Sequence, residues 1–395
     1  MKIIFMTRVL PVHASGGMQQ HAETVINYLK ERHKVTVITT ARQDQVKEDV
    51  EGNLDIIYLE NTLPGKYYGG WWKQSGARLK ELLSREDYDA ILSESVAAFS
   101  FFKYGLDKKY NIPVFSFCPG FFPKEIRTTL RKKIDVKMPV SVLYKIVNYF
   151  FIDIKFYPRL AAILAKSRDI MEYFKKKYPA RDVRVIYNGI DINNFMPRTK
   201  DSDLLGKYGL NAADTVLLNV GRLEKEKGID NLIAAFNALS GKYDSLRLVL
   251  AGDGDYEKTI RNKVEDAGMH DRIKILGRVS HDDLPAVYNM SDIFIFPSLC
   301  DEGLPHVILE AMASGLPVIS TKYPGIEDII EDGMEGLLYN KDDEKALAEK
   351  IEFLIKSPRL AETMKDKCRN KALKKFSLEN IGGEIEEAIR SHIER

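Results

Sequence analysis

Residues 293–320 read IFIFPSLCDEGLPHVILEAMASGLPVIS. The run Ile293–Pro297 is apolar and short, as a buried strand is. Pro305 suits the first turn of a helix, where a missing N–H costs nothing. Pro317–Ser320 then reads as a second strand. Strand, helix, strand in that order is the repeating unit of a parallel sheet with helices on its faces.

The same alternation runs outward in both directions. Towards the C-terminus lies Gly336–Tyr339. Towards the N-terminus lie Ile273–Leu276, Leu246–Ala251 and Thr215–Val220. The first half carries Lys2–Thr7, Val35–Thr40, Asp55–Leu59, Ala90–Ser93, Pro113–Cys118, Ala161–Ala165 and Val183–Tyr187. Met18, Ala22, Val25, Ile26 and Leu29 recur at helical spacing straight after the first strand. The stretch 197–212, PRTKDSDLLGKYGLNA, is polar, holds a Pro and two Gly, and precedes a fresh strand. The fold class is therefore α/β, with two doubly wound Rossmann-like domains, residues 1–198 and residues 199–375. Such folds bind ligands at the carboxyl ends of their strands, so a cleft between facing domains is the expected site.

Composition agrees. The 395 residues are 45% hydrophobic and 29% charged, which excludes disordered, collagen-like and low-complexity classes. Three scattered cysteines, Cys118, Cys300 and Cys368, give neither a disulfide framework nor a zinc site and fit a reducing compartment. The opening MKIIFMTRVLP has too short an apolar run for a signal peptide, and no long uncharged apolar stretch spans a membrane. A cytoplasmic location is expected. Residues 1–198 hold 32 Lys/Arg against 21 Asp/Glu, a balance of +11, whereas the remainder balances at −9. A basic half points to an anionic partner.

Four segments could carry chemistry. In the opening stretch, Gly303 lets backbone N–H groups approach a ligand, and the helix start after Leu304-Pro305 offers free donors to a phosphate. Glu302 lies just before that helix and Glu310 within it; a carboxylate accepts two sugar hydroxyls well. Gly221-Arg222-Leu223-Glu224-Lys225-Glu226-Lys227-Gly228 places a Gly turn and two cations five residues apart, Arg222 and Lys227, between a strand and a helix. Arg forks onto a diphosphate, and Lys adds a point charge. Gly16-Gly17 opens the first helix without forming GxGxxG, so no dinucleotide fingerprint is present; His21 lies one turn on. Asp253-Gly254-Asp255 spells a metal-chelating DxD pattern, but turn chemistry explains that composition.

These segments, in this order, resemble the retaining GT-B glycosyltransferases of group 1, also called family 4 (GT4). The resemblance covers nearly the whole chain. It takes in Gly16-Gly17, Ser167, Val185-Ile186-Tyr187-Asn188-Gly189-Ile190-Asp191, Gly221-Arg222 with Lys227-Gly228, Ala251-Gly252-Asp253-Gly254 and Gly277-Arg278-Val279. Its strongest element is the pair Glu302 and Glu310, spaced E-x7-E and followed by Ala311-Met312-Ala313 and Gly315-Leu316-Pro317-Val318. The resemblance implies that Arg222 and Lys227 hold the donor diphosphate as it leaves, and that Glu310 takes ribose hydroxyls. Glu302 reads the donor sugar with backbone N–H groups of Gly303, Leu304 and Pro305's surroundings. The base lies near Arg278 and Val279, and Gly17 approaches the phosphate from the first domain. Arg222, Lys227 and Glu302 are the implied catalytic residues. Neither a metal nor another cofactor is implied. Family architecture, with the spacing Ile381, Ile385, Ala388, Ile389, places the C-terminal helix 376–395 on the first domain.

One departure stands out. Many members carry a His after the strand corresponding to Pro113–Cys118, whereas this chain reads Phe117-Cys118-Pro119-Gly120. His21 and Cys118 are the candidates for an acceptor or sugar contact there, with His13 as a further substitute. The implied partners are a nucleotide-sugar donor, UDP- or GDP-linked, and a hydroxyl acceptor, with no nucleic acid. The alternatives are a non-hydrolysing sugar-nucleotide epimerase and an inactive nucleotide-sugar-binding protein. Lys124–Lys137, with six cations and two anions, precedes the aromatic and aliphatic stretch Met138–Leu164. That order suits an anionic membrane surface, so peripheral association at the inner face of the cell membrane and a lipid-linked acceptor are expected.

Overall fold

The computed structural model describes residues 1–14, 16–118, 120, 149–300, 303–341 and 343–394. The chain divides into two compact units. One is Met1–Gly189 with Leu378–Arg395, and the other is Ile190–Ser377. The division at Gly189 falls ahead of the polar stretch 197–212.

In the first unit the described strands are β1 (Lys2–Met6), β2 (Lys34–Thr40), β3 (Glu48–Glu51), β4 (Leu54–Leu59), β5 (Ala90–Glu94), β6 (Val114–Cys118), β7 (Ala162–Ala165) and β8 (Asp182–Val185). They form one sheet in the order β3-β4-β2-β1-β5-β6-β7-β8. All pairs are parallel except β3 with β4. Alternation along each strand feeds two cores. Ile4 and Met6 of β1 join Ile38, Ile91 and Ile163 beneath Trp71, Phe101 and Phe156. Ile3 and Phe5 point the other way, to Val35, Val37, Leu92 and Leu164. This period of two, buried on both faces, is why the runs read as continuously apolar.

The second of these cores is covered by the helix Gly17–Lys30, through Ala22, Val25, Ile26 and Leu29, and by the helix Leu378–Ile393, through Ile381, Ile385, Ala388 and Ile389. Their approach is close. A Cβ on Gly382 would sit 2.3 Å from the Tyr28 ring. Charge pairs flank the contact: Arg32 with Glu379 at 2.7 Å and His33 with Glu386 at 2.9 Å.

The second unit holds β9 (Thr215–Val220), β10 (Leu246–Ala251), β11 (Ile273–Gly277), β12 (Ile293–Phe296), β13 (Val318–Thr321) and β14 (Gly336–Tyr339). Their order is β11-β10-β9-β12-β13-β14, parallel throughout. Leu217, Leu248, Ile295 and Ile319 pack beneath Ile229, Leu232 and Phe236 of the helix Ile229–Ser240.

Each apolar run named from the sequence forms a strand, with ends shifted by at most two residues. The strand not anticipated is β3, whose EDVE sequence is polar and exposed at the sheet edge. Among the described residues, no helix is long and apolar enough to cross a membrane.

Candidate active site

The strand order of the second unit reverses between β9 and β12: β10 and β11 lie to one side, β13 and β14 to the other. Loops leaving the carboxyl ends of these two neighbours diverge and open a crevice, the place where doubly wound sheets take ligands. The loop after β9 carries Gly221, Arg222 and Lys227. The loop after β12 leads to Gly303 and the helix His306–Ala313. The Leu299 N–H donates to the Glu226 carbonyl at 2.9 Å, which ties the two loops together. Gly228 brings them into close contact. Its φ is +71°, and a Cβ there would lie 2.0 Å from the Pro297 carbonyl oxygen, so only glycine fits. Gly252, after β10, is fixed likewise: its φ is +145° and a Cβ would meet the Gly221 carbonyl at 1.8 Å.

Arg222 projects into solvent with a side-chain exposure of 63% and pairs with Glu224. Lys227 is half-buried at the end of a short 3-10 turn, Lys225–Lys227. Leu304 and Pro305 are buried, and Gly303 is half-buried. The helix His306–Ala313 has no side-chain cap at Pro305. Within its first turn the Ile308 N–H donates back to the Pro305 carbonyl at 3.3 Å. Arg278 is exposed and Val279 half-buried just after β11. Asp253 and Asp255 are exposed, and the Asp253 carbonyl accepts from the Leu223 N–H at 2.8 Å. Glu302 lies outside the described residues.

Glu310 is buried, with 1% exposure. The Tyr288 hydroxyl sits 2.8 Å from its Oε2, and Nε2 of the half-exposed His281 sits 3.6 Å from its Oε1. Burial, then the Glu310 charge, pushes the Tyr288 phenol well above its ordinary value, so it remains a donor. Phe195 packs on both partners, 5.4 Å from the His281 ring and 5.8 Å from the Tyr288 ring. Arg369 clamps the far end of the same helix. Its guanidinium donates to the carbonyls of Ala313 at 2.8 Å, Phe195 at 2.8 Å and Ile192 at 3.1 Å. A cation on the last carbonyls also complements the helix dipole. Sequence reading missed Tyr288, His281 and Arg369. Nothing in local spacing marks a tyrosine or an arginine as a carboxylate's support.

In the first unit the strand order reverses between β1 and β5. Gly16 precedes the helix Gly17–Lys30 with no side-chain cap. His21 is buried on that helix; its Nδ1 lies 2.8 Å from Glu94 Oε2, and its Nε2 contacts the Lys166 ammonium. Cys118 is buried too, and its thiol donates to the Gly120 carbonyl at 2.8 Å. His13 is held by the Leu10 N–H and the Thr40 carbonyl, both at 3.0 Å. Burial lowers its pKa despite these backbone bonds. A pocket of about 270 Å³ opens beside it, lined by Arg8, His13, Met18, Gln19, Gly65 and Lys66. Of the basic-then-apolar stretch, 121–148 lie outside the described residues. Phe150, Phe151 and Ile154 are exposed, whereas Phe156, Tyr157 and Leu160 are core.

Comparison with known proteins gives the same reading. Residues 202–371 match the family model "Glycosyl transferases group 1", and residues 15–194 match "Glycosyltransferase Family 4". The chain is 29% identical over 208 residues to N-acetyl-alpha-D-glucosaminyl L-malate synthase of Bacillus anthracis, covering 53% of each. It is 31% identical over 225 residues to alpha-monoglucosyldiacylglycerol synthase of Streptococcus pneumoniae, covering 56% of this chain and 49% of that one. The chain thus spans about half the length of the curated relatives it matches. Among solved structures, Anabaena HepE in complex with UDP and glucose superposes with a TM-score of 0.74 at 21% identity, covering 99% of this chain and 100% of that one. With both halves matched in order and two Rossmann-like sheets in place, the chain belongs to the group 1, family 4 glycosyltransferases and has their GT-B fold.

Proposed function

We propose that the protein is a retaining glycosyltransferase that moves a sugar from a nucleotide-diphospho-sugar to a hydroxyl acceptor. The observation that carries this reading is the switch point between β9 and β12. There the glycine-bound Arg222–Lys227 loop and the Glu310 helix leave adjacent strands. HepE, which shares the fold, is described with UDP and glucose, and relatives in the family include a GDP-mannose-dependent mannosyltransferase of Mycobacterium tuberculosis. UDP- and GDP-sugars are therefore the donors to try.

The roles are those the family resemblance implies. Arg222 and Lys227 meet the diphosphate, Glu310 accepts from the ribose hydroxyls, and Glu302 with the donors near Gly303 reads the sugar. The base rests by Arg278 and Val279, and Gly16-Gly17 turns N–H groups to the phosphate. As the anomeric carbon–oxygen bond breaks, its electron pair passes to the diphosphate. The acceptor oxygen bonds the anomeric carbon on the same face, and its proton goes to a phosphate oxygen. Fixed cations and helix N–H groups stabilise the growing charge without reorganising, so no divalent metal is needed.

The acceptor belongs to the first unit, where the pocket beside Arg8, His13 and Lys66 lies at the carboxyl ends of β1 and β2. Relatives named for L-malate and diacylglycerol products show how widely acceptors vary within the family. A lipid-linked acceptor at an anionic membrane surface fits the exposed Phe150, Phe151 and Ile154 with Lys155 over the Phe151 ring. A panel of UDP- and GDP-sugars, assayed for nucleoside diphosphate release with and without EDTA, tests the reading. Release that persists in EDTA supports it. Release that vanishes and returns with Mn²⁺ or Mg²⁺ overturns the metal-free step.

A further inference from the structure

β11 forms one edge of the second unit's sheet and pairs on one side, with β10. The ladder sets Leu248 against Ile273 and Val249 against Lys274. The Leu248 N–H donates to the Arg272 carbonyl at 2.9 Å, so Arg272 and Lys274 turn their backbone groups towards β10. Ile273 and Ile275 turn theirs outward. Two contacts bear this out. The Ile273 N–H donates to the Met269 carbonyl at 2.8 Å, and Nη2 of Arg261 donates to the Ile275 carbonyl at 3.4 Å. That leaves the Ile273 carbonyl and the Ile275 N–H without a partner among the described residues. They stand one residue either side of Lys274. A parallel neighbour fills such a pair with the N–H and C=O of a single residue.

A groove of about 740 Å³ lies along this edge. The helix Ser202–Lys207 walls one side, with Lys207 and the following Tyr208. The helix Glu257–Asp266 walls the other, with Arg261, Val264 and Glu265. The walls lie on opposite faces of β11. Ile273 packs with Ile260 and Val264 in the core. Lys274, one residue on, points to the other face, where a Cβ on Gly209 would lie 3.4 Å from its Nζ.

Charge in the groove runs against charge in the chain around it. Residues beyond 198 balance at −9. The groove nevertheless carries Lys207, Arg261 and Lys274, with His270, against one carboxylate, Glu265. Arg261 is held by Glu257 at 2.7 Å. Lys207 is exposed and Lys274 half-buried, and neither pairs with a carboxylate among the described residues. Lysine at a sheet edge discourages a like strand from pairing. It favours an acidic one. A small anion suits the two lysines and the Ile275 N–H but has no donor for the Ile273 carbonyl. An extended peptide supplies donor and acceptor together, and its side chains alternate between the two walls.

We propose that this edge is a docking site for an extended acidic segment of a partner protein, added to the sheet beside β11 through main-chain hydrogen bonds. One set of alternate side chains, Asp or Glu, meets Lys207 and Lys274. The other set, apolar, rests on the wall of Ile275 and Val264. The site is separate from the β9–β12 switch point and does not depend on the transfer reading.

The test measures fluorescence anisotropy of a labelled, acetylated hexapeptide, Glu-Val-Glu-Val-Glu-Val, titrated with the full chain. It should bind at low salt and weaken as salt rises. Lys207→Gln combined with Lys274→Gln should weaken it about tenfold, the scale for two exposed ion pairs. The same peptide with every amide nitrogen methylated keeps its charge and loses its donors, and should bind at least about tenfold more weakly. Its Lys-Val counterpart should not bind. Absence of binding at low salt overturns the proposal, as does unchanged affinity in the folded double variant. Equal binding of the methylated peptide, or displacement by an equal concentration of inorganic phosphate, leaves a small-anion site only and overturns strand addition. Should the double variant not fold, Lys207→Gln, a change at an exposed residue, decides by a loss of about threefold.

Discussion

The Tyr288 hydroxyl lies 2.8 Å from Oε2 of Glu310, and both side chains are buried. A buried carboxylate needs donors, and this phenol stays protonated because burial and the carboxylate charge both raise its pKa. One oxygen of Glu310 is thereby fixed, and His281 stands 3.6 Å from the other. The carboxylate is pre-set in one orientation, which lowers the ordering cost of binding a ligand that donates to it.

Glu310→Gln is expected to weaken a ribonucleoside diphosphate about tenfold or more, as loss of a charged hydrogen-bond acceptor does. The 2′,3′-dideoxy analogue should bind the variant as it binds the parent. Calorimetric titration of both ligands checks this. An equal loss for both would remove the ribose assignment. Tyr288→Phe should lower stability by about 1–3 kcal/mol, because it removes one donor from a buried carboxylate.

Arg222→Ala is expected to reduce kcat/KM by about 10²–10³-fold, the scale for one group aimed at charge developing in the transition state. Its 63% exposure means that little folding stability depends on it. Steady-state kinetics on the donor found by the panel, beside a melting curve, separate the two effects. Unaltered turnover would remove the role.

Fold and site were legible to different depths. The strands showed because both faces of each sheet are buried, so runs such as Leu246–Ala251 carry almost no polar interruption. β3 escaped because an edge strand of Glu, Asp, Val and Glu has no apolar run. Its signal was the two-residue loop Gly52-Asn53 before Leu54, with Gly52 at φ +59°, a hairpin pattern. Loop glycines and the E-x7-E pair showed as local motifs. The supports did not. Lys166 and His21 are 145 residues apart, and Tyr288 and Glu310 meet only when two helices pack. Tertiary contacts leave no spacing to read.

Lys166 gives a prediction in pH. Burial pushes its pKa down to about 7, with Glu94 and Cys118 opposing. Between there and the ordinary lysine value, the unfolded chain holds a proton that the folded chain has released. Stability from this group therefore rises with pH across that window and is lowest below it. Lys166→Met removes the effect. Melting curves from pH 6 to pH 10 should show the parent gaining on the variant as pH rises; parallel curves would contradict the assignment.

Membrane association is expected to depend on charge as well as on Phe150, Phe151 and Ile154. Each cation near an anionic surface contributes about 1 kcal/mol, screened by salt. Co-sedimentation with vesicles containing phosphatidylglycerol should be strong at low salt and weak at high salt, and Phe151→Ser should reduce it. Absence of binding at low salt would end the idea. Salt-insensitive binding would leave apolar insertion alone.

The proposed activity is transfer from a nucleotide sugar with retention. It is tested most directly by NMR of the reaction with an α-linked UDP- or GDP-sugar and a saccharide acceptor, following the anomeric proton and the released nucleotide together. The expected result is nucleoside diphosphate released in step with an α-configured product. A β-configured product would contradict retention, and an epimerised sugar nucleotide with no diphosphate released would contradict transfer itself.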